Sequence, residues 1–128
     1  MTDSLTVLVA EDDYQIQEML EEALSEAGFR PQILSSAEEA ATVLRSGIYE
    51  FRALVTDVGL KGATTGWDLA RLVRERAADF PVVYVTGTPP GDWARLGVPN
   101  SILLTKPFAP AQLVTAVAQL LNTGGAKG

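Results

Sequence analysis

Five apolar runs alternate along this chain with stretches of helical periodicity, and this alternation constrains the fold more than any other feature. Most of these runs are rich in β-branched residues, as are strands covered on both faces, whereas the second is short and weaker. They read LTVLVA, RPQIL, FRALVTD, FPVVYVTG and SILLT. After most of these runs, apolar residues recur every three or four positions, which is typical of a helix packed on one side. The pattern predicts a parallel β-sheet with helices on both faces.

The predicted fold class is α/β, a flavodoxin-like (βα)5 three-layer sandwich. Five strands in a chain of 128 residues favour the sheet order 2-1-3-4-5. Ser36 with Glu39 three residues later has the pattern of a capping box and predicts the start of the second helix. After the fourth strand, the consecutive prolines Pro89 and Pro90 lack N–H groups and disfavour a normal helix start. We therefore predict a short or irregular fourth helix.

The length and composition favour a single domain. A hydrophobic content of 47% is enough for one core, and we assign residues 1–122 to the domain and 123–128 to a flexible C-terminal tail. No stretch resembles a secretory signal, and no apolar run approaches the ~18 residues that span a bilayer. We therefore expect a cytoplasmic, stand-alone domain with no membrane association.

The charge and the missing residue types exclude several functions. The formal net charge of −6 disfavours a nucleic-acid-binding surface and fits protein or cation partners. The chain contains no cysteine and no histidine, which removes disulfides, thiolate metal sites, a cysteine nucleophile and the commonest general base.

Polar residues follow four of the predicted strands, and the carboxyl ends of parallel strands meet at one edge of the sheet, where ligands bind. These residues are Glu11, Asp12 and Asp13 after the first strand, Asp57 after the third, Thr86 after the fourth and Lys106 after the fifth. Carboxylates that lie together repel one another and need a counter-charge, which Mg²⁺ supplies with few protein ligands. A hydroxyl and an ammonium beside them suit a phosphoryl group, and a carboxylate can be its acceptor.

Each of these residues also has a simpler interpretation. Any of the three acids after the first strand could cap the following helix. Asp57 alone could be a turn residue, Thr86 an ordinary strand residue and Lys106 a solvated charge in a turn. Only their joint placement at the ends of the correct strands favours a chemical site.

With these motifs, residues 5–121 resemble a receiver domain of two-component response regulators. The resemblance rests on VLVAEDD, LVTDVGL, VYVTG and LLTKPF. It implies that Asp57 accepts a phosphoryl group, and that Mg²⁺ is bound by Asp12, by Glu11 through water, by Asp57 and by the backbone carbonyl of Gly59. It also implies that Thr86 and Lys106 contact the phosphoryl group and that the peptide bond before Pro107 is cis.

The chain departs from the family pattern in its switch region. The position three residues before the lysine usually carries an aromatic switch residue, but here it is Leu103. The segment PVVYVTGT partly resembles a receiver subgroup with the motif Pro-Phe-x-Phe-Ala-Thr-Gly-Tyr. Lys61 replaces a common proline in a slightly enlarged loop. We expect either that phosphorylation orders residues 87–100 or that this segment is a rigid, proline-bent loop, with Trp93 packed inward or exposed as a partner contact.

The leading functional hypothesis is a single-domain response regulator, which is not an enzyme acting on other molecules. It would receive its phosphoryl group from a histidine kinase or a histidine phosphotransfer protein and act through a downstream protein target. It could bind that target, relay the phosphoryl group or drain it from a kinase. The alternative is a non-phosphorylated, receiver-like interaction module. An enzyme or flavin protein on the same fold is disfavoured, because the chain lacks a Gly-rich phosphate loop and the Asp-x-Asp-x-Thr motif.

Overall fold

The computed structural model describes residues 5–87 and 90–126, which contain a five-stranded parallel sheet. The strand order β2-β1-β3-β4-β5 confirms the prediction. The strands are β1 (Thr6–Ala10), β2 (Arg30–Leu34), β3 (Ala53–Asp57), β4 (Val82–Thr86) and β5 (Ile102–Thr105). The central strands β3 and β4 are buried along their whole length, which explains why they read as continuous apolar runs.

The helices that cover the sheet are α1 (Tyr14–Glu26), α2 (Ala37–Gly47), α3 (Gly66–Arg76), α4 (Trp93–Leu96) and α5 (Pro110–Ala126). Side-chain caps define three of the starts, with Asp13 on α1, Ser36 on α2 and Thr65 on α3. The Ser36 hydroxyl accepts a hydrogen bond from the Glu39 N–H at 3.1 Å, as the capping box predicts.

The fourth helix is a single turn, which confirms the prediction that it is short. A 3-10 turn at Pro90–Asp92 leads into the four residues of α4. Pro89, the other proline in that prediction, lies outside the described residues.

Alternate residues of each strand supply two hydrophobic layers, one on each face of the sheet. One layer packs under α2 and α3 and includes Leu8, Leu54 and Tyr84. The other packs under α1 and α5 and includes Val9, Val55 and Val85. The two faces are therefore covered by separate pairs of helices, and ligands of such sheets bind beyond the carboxyl ends of the strands.

The C-terminal helix extends further than the sequence suggested. Helix α5 continues to Ala126, so residues 123–126, which the sequence analysis placed in a tail, are helical, and residues 127–128 lie outside the described part of the chain. Among the described residues, no helix combines the length and apolar character that a membrane span requires.

Candidate phosphoryl-acceptor site

Three strands bring acidic and basic residues to the carboxyl edge of the sheet, and two of them, β1 and β3, are neighbours. Asp57 is the last residue of β3, Glu11 directly follows β1, and Lys106 directly follows β5. Strands β1 and β3 pair directly, with Ala10 opposite Thr56, so Glu11 and Asp57 emerge side by side. The parallel fold thus joins residues that are up to 95 positions apart in the chain.

The Lys106 ammonium lies between two carboxylates. Its Nζ atom donates to Asp57 Oδ2 at 2.9 Å and to Glu11 Oε1 at 3.1 Å. The Glu11 side chain is fully buried, and the Asp57 and Lys106 side chains keep 11% and 20% of their exposure. These ion pairs are therefore largely desolvated, and each carboxylate depends on the lysine for compensation.

The electrostatics of this cluster raise the proton affinity of Glu11. Burial, followed by the neighbouring Asp57 carboxylate, raises the pKa of Glu11 from 4.5 to about 7. Burial alone would lower the pKa of Lys106, but hydrogen bonds and charge from Asp57 and Glu11 outweigh it and raise that pKa. The cluster thus contains more negative charge than its own lysine neutralises.

The three acids after β1 divide between capping and the site. Asp13 caps α1, because its Oδ1 atom accepts the N–H groups of Gln15 at 2.9 Å and Ile16 at 3.3 Å. Glu11 and Asp12 instead join Asp57, and the three residues offer carboxylate oxygens within 4.8 Å of one another. The helix-cap interpretation is therefore correct for Asp13 alone, and the metal-site interpretation stays open for the other two.

The donor set fits a hard divalent cation. Three carboxylates against one ammonium leave two formal negative charges in excess when all are ionised. Oxygen-only ligands, without histidine or cysteine, are those that Mg²⁺ prefers. Burial and then the Asp57 charge raise the pKa of Glu11 because both disfavour its ionised form. A cation at this position would stabilise that ionised form.

The remaining site residues flank this cluster. The Gly59 N–H donates to Asp57 Oδ1 at 2.8 Å, so the first turn of the β3–α3 loop lies against the Asp57 carboxylate. Thr86, the buried last residue of β4, accepts the Lys106 N–H through its carbonyl oxygen at 2.7 Å. The Lys106–Pro107 peptide bond is cis.

The position of the usual switch aromatic has a buried aromatic neighbour. Leu103 is partly buried against the α2–α3 layer and pairs in register with Tyr84 of β4. Tyr84 is fully buried, and its ring lies 4.7 Å from that of Trp67. Its hydroxyl accepts the Val98 N–H at 3.0 Å. An aromatic side chain on β4 therefore contacts the segment after α4, although the β5 position carries leucine.

Trp93 in α4 packs inward on one side. Its Nε1 atom donates to Ser101 Oγ at 3.0 Å, and the Ser101 hydroxyl donates to the Val98 carbonyl at 2.6 Å. A Cβ atom on Gly97 would meet the indole ring, so the glycine makes room for it. Trp93 is still 36% exposed. The residue therefore packs inward and also keeps part of its surface exposed.

Sequence reasoning missed Gln17, which supports the end of β1. Its Nε2 atom donates to the Glu11 carbonyl at 2.6 Å and to Ser35 Oγ at 3.2 Å. This contact links α1 to the loops after β1 and β2. Helical periodicity could have placed Gln17 one turn after the acidic residues, but no short motif marks it.

Most of the chain matches one known protein family. The model of the response regulator receiver domain matches residues 7–118. The chain belongs to the response regulator receiver family. A receiver protein from Sinorhizobium medicae has a solved structure that is 41% identical, with a TM-score of 0.90 over 94% of this chain and 96% of that one. A receiver domain from Clostridium thermocellum, 21% identical over 97% of this chain and 99% of that one, has the same fold with a TM-score of 0.86.

The curated relatives of this receiver are longer proteins. The probable transcriptional regulatory protein SilR of Salmonella typhimurium is 31% identical over 94% of this chain and 52% of its own length. A response regulator receiver protein of Anaeromyxobacter sp. is 37% identical over 90% of this chain and 45% of its own length. The chain thus spans about half the length of these relatives. Its membership of the response regulator receiver family indicates a role in two-component signalling.

Proposed function

We propose that this receiver takes a phosphoryl group on Asp57 and signals through protein contacts. The observation that carries the proposal is the pair of hydrogen bonds from Lys106 Nζ to Asp57 and to the buried Glu11. An ammonium at this position stabilises negative charge on the oxygens of a transferred phosphoryl group. Buried acids that need this much compensation are otherwise costly to the fold, which favours a functional role for them.

The proposed reaction is a direct phosphoryl transfer. A carboxylate oxygen of Asp57 bonds to phosphorus while the bond between phosphorus and the donor's histidine nitrogen breaks. The electron pair of that bond stays on the imidazole, which then takes a proton from solvent. Positioning and charge stabilisation are most of what such a transfer requires. Hydrolysis of the acyl phosphate at the same residue would end the signal.

The proposed metal ligands are Asp12, Asp57, the backbone carbonyl of Gly59 and, through water, Glu11. When bound, Mg²⁺ would neutralise charge on the phosphoryl oxygens. Lys106 would pair with a second phosphoryl oxygen, and the Thr86 hydroxyl would donate a hydrogen bond to the phosphorylated state. The buried position of Thr86 at the end of β4 supports this assignment.

The proposed partners follow from the family. A histidine kinase or a histidine phosphotransfer protein would supply the phosphoryl group, since the chain itself has no histidine. Residues 1–122 would act as a receiver in the cytoplasm, with output through a downstream protein and no contact with nucleic acid or membrane. The negative net charge of −6 supports a protein partner over a nucleic acid.

Intact-mass spectrometry after incubation with Mg²⁺ and acetyl phosphate tests the proposal. We expect the wild-type protein to gain the mass of one phosphoryl group, and we expect no gain with EDTA or in Asp57→Asn. Asp13→Asn is the matched control, because asparagine also caps helices and the charge change is the same. A gain that persists in Asp57→Asn would place the acceptor elsewhere.

The alternative, a receiver-like interaction module without phosphorylation, predicts a different result. It predicts no mass gain and no response to beryllofluoride, which mimics a phosphoryl group on a carboxylate. Tryptophan fluorescence can follow this titration, because Trp67 is the second residue of α3, close to the loop that follows Asp57. Saturable binding of beryllofluoride without a mass gain would instead indicate rapid hydrolysis of a genuine acyl phosphate.

A further inference from the structure

Glu38 makes a long-range contact with the loop after the acceptor strand. It lies in the first turn of α2, and its Oε2 atom accepts the Thr64 N–H at 2.8 Å across 26 positions of sequence. Hydrogen bonds, first from the Thr64 N–H and then from other backbone groups, lower the pKa of Glu38. The carboxylate therefore acts as an anion held by backbone amides of the loop.

The loop is shaped to receive this carboxylate at Gly62. The backbone of Gly62 has φ +113°, a conformation that favours glycine. A Cβ atom at this position would lie 3.0 Å from both oxygens of Glu38. The glycine thus permits both the backbone conformation and the close approach of the acidic side chain.

The same short loop lies against the phosphoacceptor. Only residues 58–65 separate Asp57 from α3, and Gly59 near their start donates its N–H to Asp57 Oδ1. Leu60 is buried in the core, and a Cβ atom on Gly66 would collide with the Asp57 carbonyl oxygen. Two residues, Leu60 and Lys61, join Gly59 to the part of the loop that Glu38 holds.

We propose that Glu38 is a positioning residue of the phosphoacceptor site, which holds the β3–α3 loop so that Gly59 is correctly placed beside Asp57. The proposal rests on the proposed function in one respect, since it assigns Gly59 to metal binding. Without Glu38, the exposed middle of the loop at Lys61, Gly62 and Ala63 keeps its connections to Leu60 and Thr65 but loses its contact with α2. More conformations then become accessible, and the site is less often in its competent geometry.

A simpler role for Glu38 is a favourable charge at the start of α2. Glu39 separates the two possibilities, because it occupies the same helix turn and carries the same charge. Its side chain accepts a hydrogen bond from Ser36 within the capping box, and glutamine preserves that motif. Glu39→Gln is therefore a matched control for Glu38→Gln.

The experiment combines amide hydrogen exchange with metal binding. In Glu38→Gln and Glu38→Ala, we expect faster exchange of the Thr64 amide and an Mg²⁺ dissociation constant raised by about threefold to tenfold, somewhat less than for partners that touch a metal ligand directly. We also expect a slower uptake of the phosphoryl group from acetyl phosphate at subsaturating Mg²⁺, with recovery as Mg²⁺ approaches saturation. Glu39→Gln should match the wild type in all three measurements.

Two outcomes would overturn the proposal. One is faster Thr64 exchange or a lower melting temperature with an unchanged Mg²⁺ dissociation constant, which would make Glu38 purely structural. The other is an equal change in Glu38→Gln and Glu39→Gln, which would reduce the effect to helix charge. Failure of the proposed function has a separate signature, because the wild-type protein would then neither bind Mg²⁺ nor take up a phosphoryl group.

Discussion

The Lys106 ammonium contacts two carboxylates that come from different strands, and its contribution is both structural and chemical. It compensates Glu11, whose side chain is fully buried, and lies 2.9 Å from the proposed acceptor oxygen of Asp57. Loss of one partner from such a desolvated cluster leaves an uncompensated charge. At the residue scale, the site therefore depends on this lysine more than on any exposed charge.

We predict that Lys106→Gln lowers the rate of phosphoryl uptake from acetyl phosphate by roughly 100- to 1,000-fold, as loss of one charge-stabilising donor does elsewhere. Single-turnover kinetics by intact mass would measure it. Lys61→Gln is the control, because it makes the same charge change at an exposed position of the neighbouring loop. Equal rates for the two variants would mean that Lys106 has no role in the transfer.

We predict that Glu11 makes the metal-free protein less stable as pH rises. Its folded pKa of about 7 exceeds the unfolded value of 4.5, so the folded state binds the proton more tightly. The stabilisation is complete below about pH 4.5 and is lost as pH passes about 7. Urea unfolding in EDTA should show that Glu11→Gln gains stability relative to the wild type across this window. Glu18→Gln, an exposed change of equal charge, is the control; a constant difference between wild type and Glu11→Gln would contradict the prediction.

The residue scale also shows where sequence reasoning stopped. The position of Asp57, Thr86 and Lys106 at the carboxyl ends of their strands follows from the alternation of elements alone. The division of labour between Asp12 and Asp13 does not, because both precede the same helix and both can cap it. Only the backbone geometry at the start of α1, with Gln15 and Ile16 donating to Asp13, decides it.

At the element scale, side-chain hydrogen bonds hold residues 93–101, and Leu96 of α4 packs against the α2–α3 layer. Helix α4 has four residues, none of them buried. Val98 is the centre of these contacts. Its N–H donates to the Tyr84 hydroxyl, and its carbonyl accepts from the Ser101 hydroxyl. The Ser101 hydroxyl in turn accepts from the Trp93 indole N–H. Arg74 adds hydrogen bonds to the carbonyl groups of Pro99, at 2.6 Å, and Asn100, at 3.2 Å.

We predict that Tyr84→Phe destabilises the protein by about 1 to 3 kcal/mol, because it leaves the buried Val98 N–H without its acceptor. The aromatic contact with Trp67 would persist, so the loss would be that of the hydrogen bond. Hydrogen exchange should show faster exchange at Val98, with urea unfolding for the total free energy. Tyr14→Phe, at a side chain 81% exposed, is the control. Unchanged exchange at Val98 would show that the hydroxyl does not hold the segment.

The ordering of this segment on phosphorylation stays a prediction. We expect residues 91–96 to exchange more slowly with beryllofluoride than without it, because Thr86 would move toward the phosphoryl group and draw the following backbone with it. Hydrogen exchange of the metal-bound protein in the two states measures this. Equal protection in both states would favour the rigid, proline-bent loop. The likeness to the Pro-Phe-x-Phe-Ala-Thr-Gly-Tyr subgroup also stays a prediction.

Element type was predictable here, and the supporting contacts were not. Apolar runs and helical spacing place all five strands and four of the helices, and Pro89 and Pro90 predict that α4 is short. The hydrogen bonds that Val98 donates to Tyr84 and that Thr64 donates to Glu38 join residues 14 and 26 positions apart without a local pattern. Such contacts depend on how the loops and helices pack on the sheet in three dimensions, which no local sequence pattern specifies.

At the scale of the whole molecule, the parallel topology itself creates the site. Every strand delivers its carboxyl end to one edge, so Glu11, Asp57 and Lys106 meet although the chain passes through several helices between them. The direction of the strands therefore made the composition of the site predictable from sequence. Its hydrogen bonds, its burial and its raised Glu11 pKa required the packed structure.

Localisation of the phosphoryl group tests the central claim most directly. After incubation with Mg²⁺ and acetyl phosphate, borohydride reduction converts an aspartyl phosphate to homoserine, and trypsin then cleaves after Arg52 and Lys61. The released peptide ALVTDVGLK contains one carboxylate side chain, that of Asp57. We predict homoserine at this position in the wild-type protein and unmodified peptide when Mg²⁺ is chelated. Homoserine at Asp12, at Asp13 or in any other peptide, with Asp57 unmodified, would contradict the assignment of Asp57 as the acceptor.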